Sequence, residues 1–328
     1  MIWRLTAVLI GLLLAYAGLQ LAWRAVTHHA HGPKIAVYRP PPILAAGPLV
    51  PGGRPVAPVI APNSTPPAAA APGGTCAPAP APAFTEAAAQ NSASLRAAAW
   101  SAFGRPEIGW EIYAPLAAHE LATACAPTQS GFAQALALWQ GQHGLPGAGV
   151  MDEATLKALN IVWLRRRPFV TATAHGACPP PPDAFRLAFA TPGEGYLTKP
   201  IQLRTTALAA YRRMAAAARQ EVPSLSADKQ LLTIFSGYRD PAEEAARCAA
   251  GGCGTVAKAS CSAHRTGLAL DLFLGAAPGF APGSSADANR LFQARSELYR
   301  WLVANAGSFG FVPYPFEPWH WEWTGEAP

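Results

Sequence analysis

Charge is scarce in this chain. Only 13% of its 328 residues are charged, against 51% hydrophobic, and methionine occurs three times. No basic run interleaved with aromatics is present, which excludes nucleic acid as a partner despite the net charge of +6. That positive balance suits an anionic membrane surface or an acidic cell-wall polymer. No Gly-x-Ser-x-Gly elbow surrounds Ser262, which argues against a serine hydrolase. The six cysteines (Cys76, Cys125, Cys178, Cys248, Cys253 and Cys261) lack the paired CxxC spacing of a structural zinc site. An even count in an exported chain predicts disulfides whose connectivity stays open. Among Cys248, Cys253 and Cys261, a disulfide pinning the Gly-rich loop 249–254 is expected, with at least one of the trio reaching a distant cysteine or remaining free.

Proline is plentiful, at 34 residues, but unevenly placed, and its distribution divides the chain. Residues 1–24 carry an apolar run, Leu5 to Trp23, that as a helix would span about 28 Å, close to the hydrocarbon thickness of a bilayer. It predicts a transmembrane signal anchor; the rival is a cleaved signal peptide ending at Ala15-Tyr16-Ala17. Residues 25–85 are a Pro/Ala-rich linker that cannot bury a core. Residues 86–165 read as a small helical domain. Its helices cover Glu86 to Phe103, Tyr113 to Cys125, Ser130 to Gln140 with Phe132, Leu136 and Trp139 on one stripe, and a last one N-capped by Asp152. Residues 166–184 form a second linker, opened by the basic run Arg165-Arg-Arg167, which reads as a solvated face.

Residues 185–328 read as α+β. Helices are expected over 207–220, from Asp240-Pro241 onward, and over 287–306 with Leu291, Leu298, Trp301 and Leu302 facing the core. Strands are expected at Leu231–Phe235, over 268–274, and at the C-terminal block, where Trp319, Trp321 and Trp323 alternate with His320 and Glu322. The chemistry concentrates in two stretches, Cys261-Ser-Ala-His-Arg-Thr-Gly-Leu-Ala-Leu-Asp271 and Glu317-Pro-Trp-His320. Imidazole and carboxylate are zinc ligands, and a catalytic zinc keeps three of them plus an open position. His264, Asp271 and His320 make such a set. Glu317 is left as the base that activates water.

Three ordered blocks carry a resemblance: Ser236-Gly-Tyr-Arg239, Ser262-x-His264-x-x-Gly267-x-Ala269-x-Asp271, and Glu317-x-Trp319-His320. Together they resemble the D-alanyl-D-alanine carboxypeptidase family over roughly residues 185–328. Those are zinc peptidases sharing a fold with the vancomycin-resistance dipeptidases and the Sonic hedgehog domain. The resemblance implies an antiparallel sheet with flanking helices, Zn2+ on His264, Asp271 and His320, Glu317 as base and Arg239 polarising the substrate. Ser262, Tyr238 and Trp319 fall on the substrate side. Asp240 and Glu243-Glu244 depart from the family pattern, where Ser and a later Gln often follow the Arg. The helical region resembles the small peptidoglycan-binding domain through Phe132, Ala135, Trp139, Gln140, Gly144-Leu145, Gly149-Val150, Asp152, Thr155 and Leu159. The expectation is a membrane-anchored enzyme of the bacterial envelope, its catalytic domain on the periplasmic face, cutting stem peptides of peptidoglycan and touching its glycan. The alternatives are an endopeptidase, an amidase, or a wall-binding protein with a vestigial peptidase fold.

Overall fold

The computed structural model describes residues 76–79, 81–101, 103–251, 253 and 261–328. The expected anchor, and the linker up to residue 75, lie outside them. Among the described residues no helix is long and apolar enough to cross a membrane. The described residues belong to one compact unit and are α+β, with helices around small antiparallel sheets.

The first helix, Pro82–Ser94, begins with proline in its first turn, where the missing N–H costs nothing. The Ala-rich run was expected to stay helical to Phe103, but it stops nine residues earlier. The chain instead turns into a hairpin of β1 (Ala99–Trp100) and β2 (Glu107–Ile108), and the buried Trp100 indole donates to Gly109 O at 2.9 Å. Burial of that ring outweighs alanine propensity. Cys76 bonds to Cys125 and so ties the end of the Pro/Ala-rich stretch to the helical region.

Helices Ser130–Gln142 and Glu153–Arg165 flank a glycine-containing turn. Asp152 caps the second by accepting from Thr155 N at 2.8 Å. Two buried amides clamp the turn. Gln140 Nε2 donates to Val150 O (2.9 Å) and Thr155 Oγ1 (2.8 Å), and its Oε1 accepts from Gly149 N (2.8 Å). Asn91 Nδ2 donates to Gly149 O (2.9 Å), and its Oδ1 accepts from Met151 N (2.7 Å). Gly149 sits at φ +70°, where a Cβ would lie 2.5 Å from Ala133 O. The positions that resemble a glycan-binding module thus include several that hold this turn together.

In the second half, β3 (Leu187–Phe189) pairs with β4 (Gln202–Arg204), followed by the long helix Thr205–Glu221. The main sheet runs β5 (Ile234–Ser236), β6 (Ala269–Leu272), β8 (Glu317–Trp323), β7 (Phe311–Tyr314), all antiparallel. The strand expected at Leu231–Phe235 starts three residues later, because Leu232 takes a left-handed φ of 69° and Thr233 closes a turn onto Gln230 O. The helix expected over 287–306 is two, Asp287–Ala294 and Glu297–Asn305, with Ser296 capping the second by accepting from Tyr299 N. The buried side of the first carries Asn289, Arg290 and Gln293, while Leu291 is half-buried. Hydrophobic periodicity misses this face because its contacts are polar. Arg290 Nε donates to Phe316 O (2.7 Å), Nη1 reaches Glu107 Oε1 (3.0 Å), and Nη2 bonds Tyr113 Oη.

One apolar cluster runs through both halves, from Trp110, Phe132, Leu156 and Trp163 to Leu208, Tyr299 and Trp321. Replacing Gln140 by Ala would leave buried backbone groups of the 149–151 turn without partners, a cost of about 2–4 kcal/mol. Chemical denaturation of the Gln140→Ala protein checks this, and an unchanged midpoint would show that the turn holds without the clamp.

Candidate metal centre and cleft

Strand register brings the carboxylate and one imidazole together. Asp271 on β6 lies directly across from His320 on β8, and the neighbouring Leu270 and Leu272 point to the opposite face, fully buried. His264 arrives from the turn before β6. Ser262 Oγ accepts from His264 N at 3.3 Å and starts a 3-10 turn, Ala263–Thr266. Gly267 at φ +69° then redirects the chain into the strand. The Cys178–Cys261 disulfide fixes the start of this stretch, and Cys248–Cys253 closes the loop ahead of it. Both expectations for the cysteine trio, a local bridge and a distant one, are met.

The three side chains are buried and offer ligand atoms within 4.8 Å of one another. His264 Nε2 lies 3.2 Å from Asp271 Oδ2, and His320 Nδ1 lies 2.9 Å from Asp271 Oδ1. The hydrogen-bond chemistry fits a cation. His264 Nδ1 sits 2.7 Å from Gly237 O, a carbonyl that only accepts, so Nδ1 carries the proton. Burial lowers the His264 pKa, and the neutral ring then aims its Nε2 lone pair at the Asp271 carboxylate. Two electron-rich atoms facing each other in a buried site suit a metal ion between them. Without a metal, His320 is raised to about 9: burial opposes this, but hydrogen bonds to Asp271 and Glu322 prevail. Asp271 is held well below the usual carboxylate range by the two imidazoles, against the effect of burial.

All eight residues singled out from the sequence (His264, Asp271, His320, Glu317, Arg239, Ser262, Tyr238 and Trp319) line one cavity of about 1200 Å³. The Glu317 side chain makes no hydrogen bond among the described residues, and burial, reinforced by the Asp271 charge and opposed by His320, pushes its carboxyl up to about 7. Arg239 donates to Ser262 Oγ (3.3 Å) and Ser236 Oγ (3.1 Å), and among the described residues it forms no ion pair. Its guanidinium is therefore positioned by two neutral hydroxyls, with Asp271, Glu244 and Glu243 acting on its charge from beyond ion-pair distance.

Asp240 and Glu244, which depart from the family pattern, have structural partners. Asp240 Oδ1 accepts from Ala242 N at 2.8 Å and caps the helix Pro241–Gly251. Glu244 is buried and accepts from Ser262 N (3.1 Å) and Arg265 Nε (2.7 Å), which holds the turn that delivers His264. Arg165 and Arg166 are exposed, as the reading of the basic run as a solvated face expects, and Arg167 departs from it. It is buried, donates Nε to Glu322 Oε1 at 2.7 Å, and stacks on Tyr314 with its Cζ 3.9 Å from the ring centroid. The pairing partner, Glu322, lies 155 residues away in sequence, so the run itself carried no signal of it.

Residues 200–326 match the family model VanY, D-alanyl-D-alanine carboxypeptidase. The stretch contains all three motif blocks, so the resemblance read from them is matched there. No curated protein matches the chain. Among solved structures, the chain is similar to the LdcB LD-carboxypeptidase, whose structure is described as revealing the molecular basis of peptidoglycan recognition. That similarity has 24% identity and a TM-score of 0.28, and it covers 38% of this chain and 60% of that one.

The position of Glu317 predicts a pH effect in metal-free protein. Its folded pKa of about 7 exceeds the ordinary value of 4.5, so the native state keeps a proton that the unfolded chain has released between those two values. Its contribution to stability therefore falls as pH rises through that window and stays reduced above it. Denaturation midpoints of metal-free wild type and Glu317→Gln should draw apart from pH 4.5 to 7 in favour of the variant. Parallel profiles would place the Glu317 pKa in the ordinary range.

Proposed function

We propose that the protein is a zinc-dependent peptidase that hydrolyses peptidoglycan stem peptides, acting as a D-alanyl-D-alanine carboxypeptidase from a membrane-anchored position in the bacterial envelope. The observation that carries this reading is the buried set His264, Asp271 and His320 sharing a cleft with Glu317 and Arg239, within the stretch that matches the carboxypeptidase model.

His264 Nε2, an Asp271 oxygen and His320 Nδ1 would hold the metal. When bound, zinc supplies a Lewis acid that polarises the scissile carbonyl and makes a neighbouring water easier to deprotonate. Glu317 takes the proton from that attacking water and later delivers it to the leaving amine, so the C–N bond breaks to give a carboxylate and a free amine. In the metal-free site burial pushes this carboxyl up toward neutrality, the range in which a carboxyl accepts and returns a proton at low cost. Arg239, fixed by Ser236 and Ser262, offers two N–H groups to the developing oxyanion. Ser262 and Tyr238 border the same wall and would contact the peptide, with Trp319 as apolar packing beside it.

An endopeptidase is the second reading. The same cleft, of about 1200 Å³, is also lined by Phe189, Lys199 and Pro200, and a volume of that size favours a substrate longer than a terminal dipeptide.

Muropeptides incubated with the protein and analysed by mass spectrometry decide between these. Chelator-sensitive loss of one alanine from pentapeptides is expected. Conversion of cross-linked dimers to monomers would select the endopeptidase, and unchanged muropeptides with bound zinc would leave a wall-binding protein. For the roles within the site, Glu317→Gln should retain zinc and lose turnover by about 10²-fold or more, while His264→Ala should lose the metal. Loss of zinc from the Glu317 variant would assign that residue to the ligand set instead.

A further inference from the structure

The carboxypeptidase match ends at residue 200 on its N-terminal side, yet a residue well before that limit reaches the metal set. Arg167 lies at the end of the helical half, just ahead of the short helix Pro168–Ala172. Its side chain is fixed on two sides. The guanidinium stacks on Tyr314 of β7, and it closes on Glu322 of β8 through Nε (2.7 Å) and Nη2 (2.5 Å). The other Glu322 oxygen accepts from Phe169 N at 3.1 Å. Glu322 is 2% exposed, and Oε1, the oxygen held by Arg167, lies 3.4 Å from His320 Nε2. That nitrogen is fully buried and makes no hydrogen bond among the described residues, and the Glu322 carboxylate is the charged group that faces it. Because β8 alternates, Glu322 falls on the same face as His320, two residue pairs along from the Asp271 register.

We propose that Arg167 and Glu322 form a positioning relay for His320, in which the segment preceding the peptidase fold completes the metal site. Arg167 and Phe169 N hold the Glu322 carboxylate in place, and that carboxylate faces His320 Nε2. The ring is thereby oriented with Nδ1 toward Asp271 and the metal position. A histidine that binds metal through one nitrogen is ordinarily held by an acceptor at the other, and loss of such a partner weakens metal binding or activity about 10- to 100-fold. The same segment contributes Phe169, Val170 and Thr173 to the cleft wall, so it borders substrate as well. Arg167 and Glu322 are positioning residues and touch no reacting atom.

The relay rests on the zinc reading above, so the test measures zinc binding apart from turnover. Full-length wild type, Glu322→Gln, Arg167→Met, Arg167→Lys and the neutral double variant R167M/E322Q are titrated with zinc against a chelating dye. Thermal unfolding of each metal-free protein is recorded alongside. Expected are zinc affinities about 10- to 100-fold weaker for Glu322→Gln and Arg167→Met, partial recovery in Arg167→Lys, and a double variant no worse than the weaker single. On muropeptides kcat should fall with KM little changed. Folded variants that bind zinc as tightly as wild type would overturn the relay while leaving the zinc reading intact. Wild type that takes up no zinc would overturn both. If Arg167→Met does not fold, the near-isosteric Glu322→Gln and the charge-free double variant decide the outcome.

Discussion

The cross-strand pair Asp271–His320 is the constraint on which the rest depends. Two central antiparallel strands put a carboxylate opposite an imidazole on one face of the sheet, and a one-residue slip would send one of them into the apolar side among Leu270, Leu272 and Trp321. Register is protected by that apolar side, where the leucines and the tryptophan belong to the common core. The third donor, His264, comes from a turn rather than a strand, and its position must be imposed by local bonds. Ser262 Oγ, Glu244, Gly237 O and a disulfide at Cys261 supply them. A site with two donors from strands and one from a braced turn combines rigid spacing with a geometry that hydrogen bonds can adjust.

The helical half is joined to this sheet by charge as well as by apolar packing. Arg290 ends on Glu107 and Tyr113 of the helical half and on Phe316 O, the carbonyl next to Glu317. Arg167 ends on Glu322, two residues past His320. Both of these contacts therefore arrive within two residues of a group in the proposed chemistry. Removing one member of such a buried pair leaves an uncompensated charge, at a cost of about 3–5 kcal/mol. The pairs therefore fix the placement of the halves more strictly than the apolar cluster could, because apolar contacts tolerate sliding and paired charges do not.

Much of the metal set was legible in the sequence, because ligand chemistry is local to a motif: His264 and Asp271 are seven residues apart, and His320 follows Glu317 by three. The Asp152 cap and the turn around Gly149 were legible for the same reason, since each is written between the end of one helix at Gln142 and the first turn of the next at Glu153. The groups that support the site were not. Glu244 looked like a substrate-side departure, yet its partners are Ser262 and Arg265, and Arg167 looked solvated in a run of arginines. Hydropathy also misjudged the helix at Asp287–Ala294, whose buried face is Asn289, Arg290 and Gln293. A buried polar residue is recognised by its partner: those of Arg167 and Arg290 lie more than a hundred residues away, and that of Glu244 lies across a loop whose path the spacing does not give.

With 13% of residues charged, the chain still buries Glu107, Arg167, Arg204, Glu244, Asp271, Arg290 and Glu322. All but Arg204 belong to the metal set, to its supports or to the Arg290 link between the halves. Arg204 braces the neighbouring turn by donating Nε to Thr266 O at 2.7 Å, two residues past His264. Ionised groups are rarely buried unless they are paired. Their concentration around one cleft shows where the fold requires fixed geometry, because a surface charge leaves its neighbours free to move and a buried pair does not. The segment with the fewest apolar credentials, Arg165-Arg-Arg167, thus contributes one of the strictest contacts in the molecule.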